Sequence, residues 1–331
     1  MDNNTAVIVA WSNTSFGLSP LGSHRVVWGL QATRPRHHIA TSTMPVCRKR
    51  RDTDFACVLL AGWQPAAWRD KRHKCRRDLN VVLAFVNDMI HDPEVARKIA
   101  EFKRKLEQVS AAAGPSVSGK GPALVAVSKT HPAAAIQAAY DGGQRLFGEN
   151  RVQELVDKQA ALPPDIAWHL IGHLQRNKVK YVAPFVSMIH ATDSERLLAE
   201  VHRQAEKIGR QIPVLLQVHI ADESNKFGWE PDALLPWLQT GAWKAFSAAP
   251  IHGLMGMATF TEDRSQVRRE FQGLRKLFDA CREQVFADGP LDADGLPLFR
   301  ELSMGMSGDW DLAVEEGASL IRVGSALFGA R

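Results

Sequence analysis

The chain has 331 residues, 45% hydrophobic and 23% charged, the composition of a folded protein with a substantial core. No apolar run approaches the roughly 20 residues of a membrane helix, and the early apolar stretch 6–11 lacks a basic leader, so neither a span nor a secretory signal is expected. The net charge of +5 is uneven: residues 1–88 carry 13 basic and 6 acidic side chains, residues 89–331 carry 28 and 30, and the near-neutral body gives no reason to expect nucleic-acid binding.

Residues 1–88 read as an atypical basic extension, irregular and outside the fold. They hold three of the four cysteines, four of the nine tryptophans and basic runs such as Arg48 to Arg51, with little periodicity. Three readings stand: a translated upstream stretch with the working start near Met89, an organelle-targeting segment, or a basic interaction arm. The first is favoured, because the apolar and tryptophan content is high for a disordered arm. No CxxC pair occurs, which argues against zinc, and the single body cysteine, Cys281, fits a reducing compartment.

From Glu94 the pattern becomes orderly. Val95, Ile99, Phe102, Leu106 and Val109 recur at helical spacing, followed by a small-residue loop over 111–121. Short apolar strands are then predicted at 123–128, 145–148, 167–171, 186–190, 213–219, 250–257, 300–304 and 319–323. Helical patterns fill the gaps, at 132–141, 150–160, 174–182, 194–208, 231–238, 264–285 and 309–316. Eight alternating units predict a single closed (β/α)₈ barrel over residues 89–331, of class α/β, with the first helix covering one end.

In such a barrel the chemistry collects where strands end. Lys129 follows Val125-Ala-Val127, with Thr130 and His131 in the turn and Pro132 opening a helix. Partial desolvation there favours the neutral amine that attacks an aldehyde, although a lysine snorkelling to solvent would look the same. Asn150 ends the second strand, where it can cap the next helix or reach a ligand. His169 and His173 lie four apart on strand and loop, not on a helix, so no metal pair is expected. Lys226, in the polar loop after the fifth strand, is a phosphate or substrate contact or plain surface charge. The seventh and eighth units carry Ser303-Met-Gly-Met-Ser-Gly-Asp309 and Arg322-Val-Gly-Ser325, glycine turns that open helices at the usual phosphate position of barrels. A strand-end lysine facing a phosphate cradle points to pyridoxal 5′-phosphate held as a Schiff base.

The segment from about 94 to 329 resembles the pyridoxal phosphate homeostasis protein family, which shares the barrel of the alanine racemase amino-terminal domain. The resemblance is carried by Val127-Ser-Lys-Thr130, Phe147-Gly-Glu-Asn-Arg-Val-Gln-Glu154, Trp168-His-Leu-Ile-Gly-His-Leu-Gln175, Gly253-Leu-Met255, Leu302-Ser-Met-Gly-Met-Ser307 and Arg322-Val-Gly-Ser325. It implies that Lys129 forms the internal aldimine and that Asn150 lies beside the cofactor ring near its phenolic oxygen. Met306, Ser307, Gly324 and Ser325 would hold the phosphate, and Arg322 would face the pyridine nitrogen. Residues 1–88 match nothing in that family.

The expected function is a cytoplasmic, monomeric carrier that buffers or delivers pyridoxal 5′-phosphate without robust turnover. Amino acids would be further small ligands, and enzymes that use the cofactor would be transient partners. Two features support a carrier. A permanent guanidinium at the ring nitrogen disfavours its protonation and weakens the ring as an electron sink, although racemases with a similar arginine still work by placing a tyrosine base on the opposite face. The two tyrosines, Tyr140 and Tyr181, fall in helices, and no second β domain follows to supply a base on the other face. The alternatives are an amino-acid racemase or aldolase-type lyase of the same fold, or a barrel for another phosphorylated ligand with Lys129 as a plain ionic contact.

Overall fold

The computed structural model describes residues 93–222 and 227–329. The extension 1–88 and Lys226 lie outside the described residues. Eight strands form a closed parallel barrel in sequential order. They are β1 (Ala123–Val127), β2 (Leu146–Glu149), β3 (Ala167–Leu170), β4 (Met188–Thr192), β5 (Val214–Val218), β6 (Ile251–Gly256), β7 (Glu301–Ser303) and β8 (Leu320–Val323). The ring closes where β1 pairs with β8, with Val125 opposite Arg322. Every predicted strand is present, with ends moved by a few residues.

The helices, in chain order, are α1 (Pro93–Ala113), α2 (Ala133–Asp141), α3 (Val152–Ala161), α4 (Val179–Val182), α5 (Glu195–Lys207), α6 (Pro231–Gln239), α7 (Arg264–Gln284), α8 (Trp310–Glu315) and α9 (Ser325–Phe328). The first helix runs through the alanines at 111–113 that the sequence placed in a loop; alanine has the best helix propensity, and nothing there breaks the turn. Its apolar stripe, Val95, Ile99, Phe102 and Leu106, is buried. It packs on α2, α8 and α9, the helices beside the closing β8–β1 pair. Phe102 meets Trp310 of α8 with ring centroids 4.9 Å apart. Among the described residues no helix is long and apolar enough to cross a membrane.

The two-residue period of the strands divides the core. Outward-facing Leu124, Ala126, Phe147, Trp168, Leu170, Ile189, Val214, Leu216, Leu254, Leu302, Ile321 and Val323 join the helices in one apolar layer. Inward-facing Val125, Met188, Leu215, Met255 and Leu320 form a separate small cluster that plugs the barrel. The next inward positions on several strands are polar and buried: His169, His190, Gln217, Ser303 and Arg322. On β4, β5 and β8 the inward side therefore changes from apolar (Met188, Leu215, Leu320) to polar (His190, Gln217, Arg322) toward the carboxyl end.

The long helix α7 shows the same logic of one buried face. Val267, Phe271, Leu274, Phe278 and Cys281 are buried at spacings of three and four, each contributing roughly 1.5–3 kcal/mol. Gly273 lies on its exposed face, with open space where a side chain would go. Gly273→Ala should therefore stabilise the barrel by about 0.5–1 kcal/mol, through a better helix propensity and a less free unfolded chain. A denaturant midpoint that stays put or falls would contradict this.

Candidate functional site

Because all eight strands are parallel, their carboxyl ends share one rim. Lys129 sits two residues past β1 and is half-buried. Ser128 accepts a backbone hydrogen bond from His131 at 3.1 Å, so Lys129 and Thr130 are the two central residues of a tight turn. Thr130 has φ 67°, the one non-glycine residue with positive φ among the described residues. The turn is tied to the neighbouring unit, since the His131 ring stacks on Phe328 of α9 with centroids 5.0 Å apart.

Asn150 directly follows β2 and is half-buried at the same rim. It does not cap α3: the cap position is Arg151, without a side-chain cap bond. Gly172, after β3, packs so closely on Asn150 that a Cβ there would lie 2.5 Å from the Asn150 carbonyl oxygen. Asn150 is thus fixed by the β3 loop, and its amide is not spent on the helix end.

The two glycine turns meet across β7 and β8. Gly305, at φ 89°, lets the chain leave β7 where a Cβ would collide with that of Ala313 at 2.5 Å. Met306 donates its N–H to the Asp309 carboxylate, and Asp309 returns a backbone bond to Met306 at 3.2 Å. Asp309 is the cap position of α8, so the helix begins one residue later than predicted. Ser307 accepts a bond from the Gly324 N–H at 3.3 Å, joining the turn after β7 to that after β8. A Cβ on Gly324 would stand 3.0 Å from the Val127 carbonyl oxygen, so glycine is what lets this turn lie against β1. Ser325 opens α9 and is exposed.

Arg322, inside β8, is 4% exposed. It donates to Ser303 Oγ at 2.6 Å and to the Gly256 carbonyl at 2.9 Å, both neutral acceptors. Burial pushes its pKa down to about 10, partly offset by Asp309, so it remains a cation at neutral pH.

Sequence reasoning missed what lies behind Arg322. Ser303 Oγ is 3.0 Å from His190 Nδ1, and His190 Nε2 is 2.8 Å from His169 Nδ1. Arginine can only donate, so Ser303 accepts from it, and one arrangement along the chain also gives the buried Ser303 proton a partner. Ser303 accepts from Arg322 and donates to His190 Nδ1. His190 then carries its proton on Nε2 and passes a bond to His169 Nδ1, leaving the His169 proton on Nε2. Burial lowers the His169 pKa to about 3; burial, His169 and Arg322 lower that of His190, so both rings are neutral. The available signal was a second inward histidine, His190, two residues from Met188 on β4. Among the described residues no group of three metal-ligating side chains occurs.

The expected site residues therefore come together at one end of the barrel, on the adjoining strands β7, β8, β1 and β2. The barrel matches the alanine racemase amino-terminal domain model over residues 98–331. It is 36% identical over 232 residues to a pyridoxal phosphate homeostasis protein of Aquifex aeolicus, covering 70% of this chain and 96% of that one. The chain belongs to the pyridoxal phosphate homeostasis protein family. The human member is 37% identical over 220 residues, 63% of this chain and 77% of its own. PipY of Synechococcus elongatus PCC7942, solved with pyridoxal phosphate bound, is 37% identical, with TM-score 0.59 over 71% of this chain and 100% of that one. An alanine racemase of Streptomyces lavendulae, at 18% identity and TM-score 0.54, shares the fold.

Proposed function

We propose that this protein binds pyridoxal 5′-phosphate as a Schiff base on Lys129 and buffers or delivers it, without robust turnover of amino acids. The observation that carries this reading is the meeting of a strand-end amine on β1 with two glycine turns on β7 and β8, themselves joined by the Ser307–Gly324 bond. The residues fit the cofactor group by group. Lys129 supplies the amine for its aldehyde. Met306, Ser307, Gly324 and Ser325 supply a hydroxyl-bearing, glycine-lined cradle suited to a phosphate. Asn150 supplies an amide for the ring oxygen. Arg322 supplies a buried cation for the ring nitrogen.

When bound, such a cofactor supplies an aldehyde and a conjugated ring able to withdraw electrons. Arg322 works against the second of these. It stays charged at neutral pH, and a fixed positive charge discourages a proton on a neighbouring nitrogen. Both tyrosines lie in helices, Tyr140 in α2 and Tyr181 in α4, with the Tyr140 hydroxyl donating to Asp165 at 2.7 Å. In this reading the recipients are enzymes that need the cofactor, met transiently, and the carrier acts as a monomer.

The deciding experiment is the absorption spectrum with added pyridoxal 5′-phosphate, before and after borohydride, for the wild type and Lys129→Ala. A visible band is expected that borohydride abolishes while leaving the pyridoxyl group attached to Lys129, and that Lys129→Ala does not form. An unchanged band in Lys129→Ala would overturn the reading. The match to the racemase domain favours one second reading, an amino-acid racemase or aldolase-type lyase. Steady α-proton exchange of alanine in deuterated water would select it over the carrier.

A further inference from the structure

Three charged residues that the proposed function leaves unused stand beneath the Lys129 turn. Glu149 ends β2, while Glu154 and Lys158 lie one turn apart on α3. Lys158 is a buried lysine, with its side chain 8% exposed, and Glu149 is fully buried. The Lys158 ammonium donates to Glu149 Oε1 at 2.6 Å, to Glu154 Oε1 at 2.6 Å and to the Ser128 carbonyl at 2.7 Å. All three of its protons are therefore used.

Two further bonds connect the cluster to the turn. Ser128 donates its hydroxyl to Glu149 Oε1 at 2.6 Å. Glu154 Oε1 accepts the backbone N–H of Thr130. Ser128 and Thr130 are the immediate neighbours of Lys129, so the cluster grips the chain on both sides of it. What it grips is strained. Thr130 is β-branched and sits at φ 67°, where its Cβ crowds the backbone. A conformation of that kind persists only where the surroundings impose it.

The cluster is itself costly. Glu149 Oε2 is buried without a hydrogen bond, and burial raises the Glu149 pKa against the pull of Lys158 and Ser128. Ion pairs that are buried often contribute little net stability compared with apolar residues of the same volume. An apolar contact between β2 and α3 would serve the core as well, so stability alone does not account for two carboxylates and an ammonium here.

Building on the proposed role of Lys129, we propose that Glu149, Lys158 and Glu154 are its positioning residues: a buried charge cluster that holds the Ser128–His131 turn in its left-handed shape and thereby aims the Lys129 amine at the cofactor aldehyde. Lys158 is the hub. It orders both carboxylates at once, and each carboxylate holds one neighbour of Lys129.

The test separates positioning from mere support of the fold, because glycine tolerates the left-handed conformation that threonine resists. The rate of borohydride-trapped attachment of pyridoxal 5′-phosphate to Lys129, mapped by peptide mass, is measured in the wild type, Glu154→Leu, Thr130→Gly and the double variant, with thermal midpoints alongside. Glu154→Leu should attach roughly tenfold more slowly. Thr130→Gly in that background should restore the rate to within about threefold of the wild type, because the strain that Glu154 restrains is gone. A wild-type rate in Glu154→Leu, or no rescue by Thr130→Gly, overturns the proposal. Removing the hub by Glu149→Leu with Lys158→Met, which leaves neither partner of that pair alone, should slow attachment similarly, and an unchanged rate in that folded variant overturns it as well. Failure of the carrier reading is seen separately, in the wild type itself, as attachment elsewhere or not at all, and it removes this proposal too.

Discussion

Gly253→Ala should leave little or no folded barrel. Gly253 lies in β6 opposite Glu301 of β7, at φ 155°. A Cβ added there would stand 1.7 Å from the Glu301 carbonyl oxygen and 2.6 Å from its carbonyl carbon. Both atoms are backbone, so no rotamer change relieves the clash. Nor can β6 move away, because it pairs with β5 on its other side through Val214, Leu215, Leu216, Gln217 and Val218. The substitution must break the β6–β7 ladder or open the ring. We expect a loss above about 4–5 kcal/mol, against a typical total of 5–15 kcal/mol. Soluble expression and the urea midpoint check it; a cooperative transition within about 1 kcal/mol of the wild type would show that the barrel can widen at this seam. Gly273→Ala, on the open face of α7, is the control for the chemistry of the substitution without the clash.

The second large effect is acid sensitivity that originates inside the barrel. His169 is held neutral by burial, with its pKa lowered to about 3, and that of His190 is also lowered. In the unfolded chain each imidazole takes up a proton near pH 6.5. Between that value and the depressed native one, the unfolded state binds more protons, so stability falls as pH falls. The contribution is fully present above pH 6.5. By pH 5 the loss is roughly 2 kcal/mol for each imidazole that stays neutral in the native barrel. Glu149 acts in the opposite sense: its pKa is raised, so the native state protonates it first and recovers stability on acidification. Glu149 opposes the histidines from about pH 4.5 up to its raised native value, while His252, lowered to about 4 by burial, acts with them, so three imidazoles stand against one carboxylate between pH 7 and 5. Thermal midpoints at these two values should differ by several degrees, at about 2–4 °C per kcal/mol for a protein of this size. His169→Gln should flatten the dependence while lowering the midpoint at pH 7. An equally steep dependence in that variant would place the acid-labile groups elsewhere.

The same buried chain explains why Arg322 needs no carboxylate contact. Its bonds end on Ser303 and the Gly256 carbonyl, and Ser303 is backed by two neutral rings. An acidic residue in that place would neutralise the guanidinium and relax its hold over a nearby nitrogen. A neutral chain leaves the positive charge undiminished, as the proposed carrier role of this site requires.

Much of this was legible in the residues alone, for local reasons. Alternation of short apolar runs with amphipathic stretches marks each β/α unit separately, so all eight were found with boundary errors of a few residues. Lys129 was visible as a polar residue ending an apolar strand, and the turns at Gly305 and Gly324 were visible because few other residues can serve there. The errors were also local. Asn150 next to a helix start looks like a cap, yet the Gly172 contact and the chain direction move the cap to Arg151. The alanines at 111–113 look like a loop only because they break the apolar stripe, not because they break a helix.

By itself, the sequence determined the order of elements, the faces they bury and the strand ends at which reactive side chains emerge, because these depend on periods of two and 3.6 residues within a few turns of chain. Only the tertiary structure decided who meets whom. Closure of the ring sets Val125 beside Arg322 across almost two hundred residues. It draws Ser303 to His190 across the interior, while the pairing of β1 with β2 brings Lys158 and Glu154 under the Lys129 turn. Such encounters follow from the radius of an eight-stranded barrel and from which side of each strand faces inward. That radius belongs to the ring as a whole and is written in no single segment.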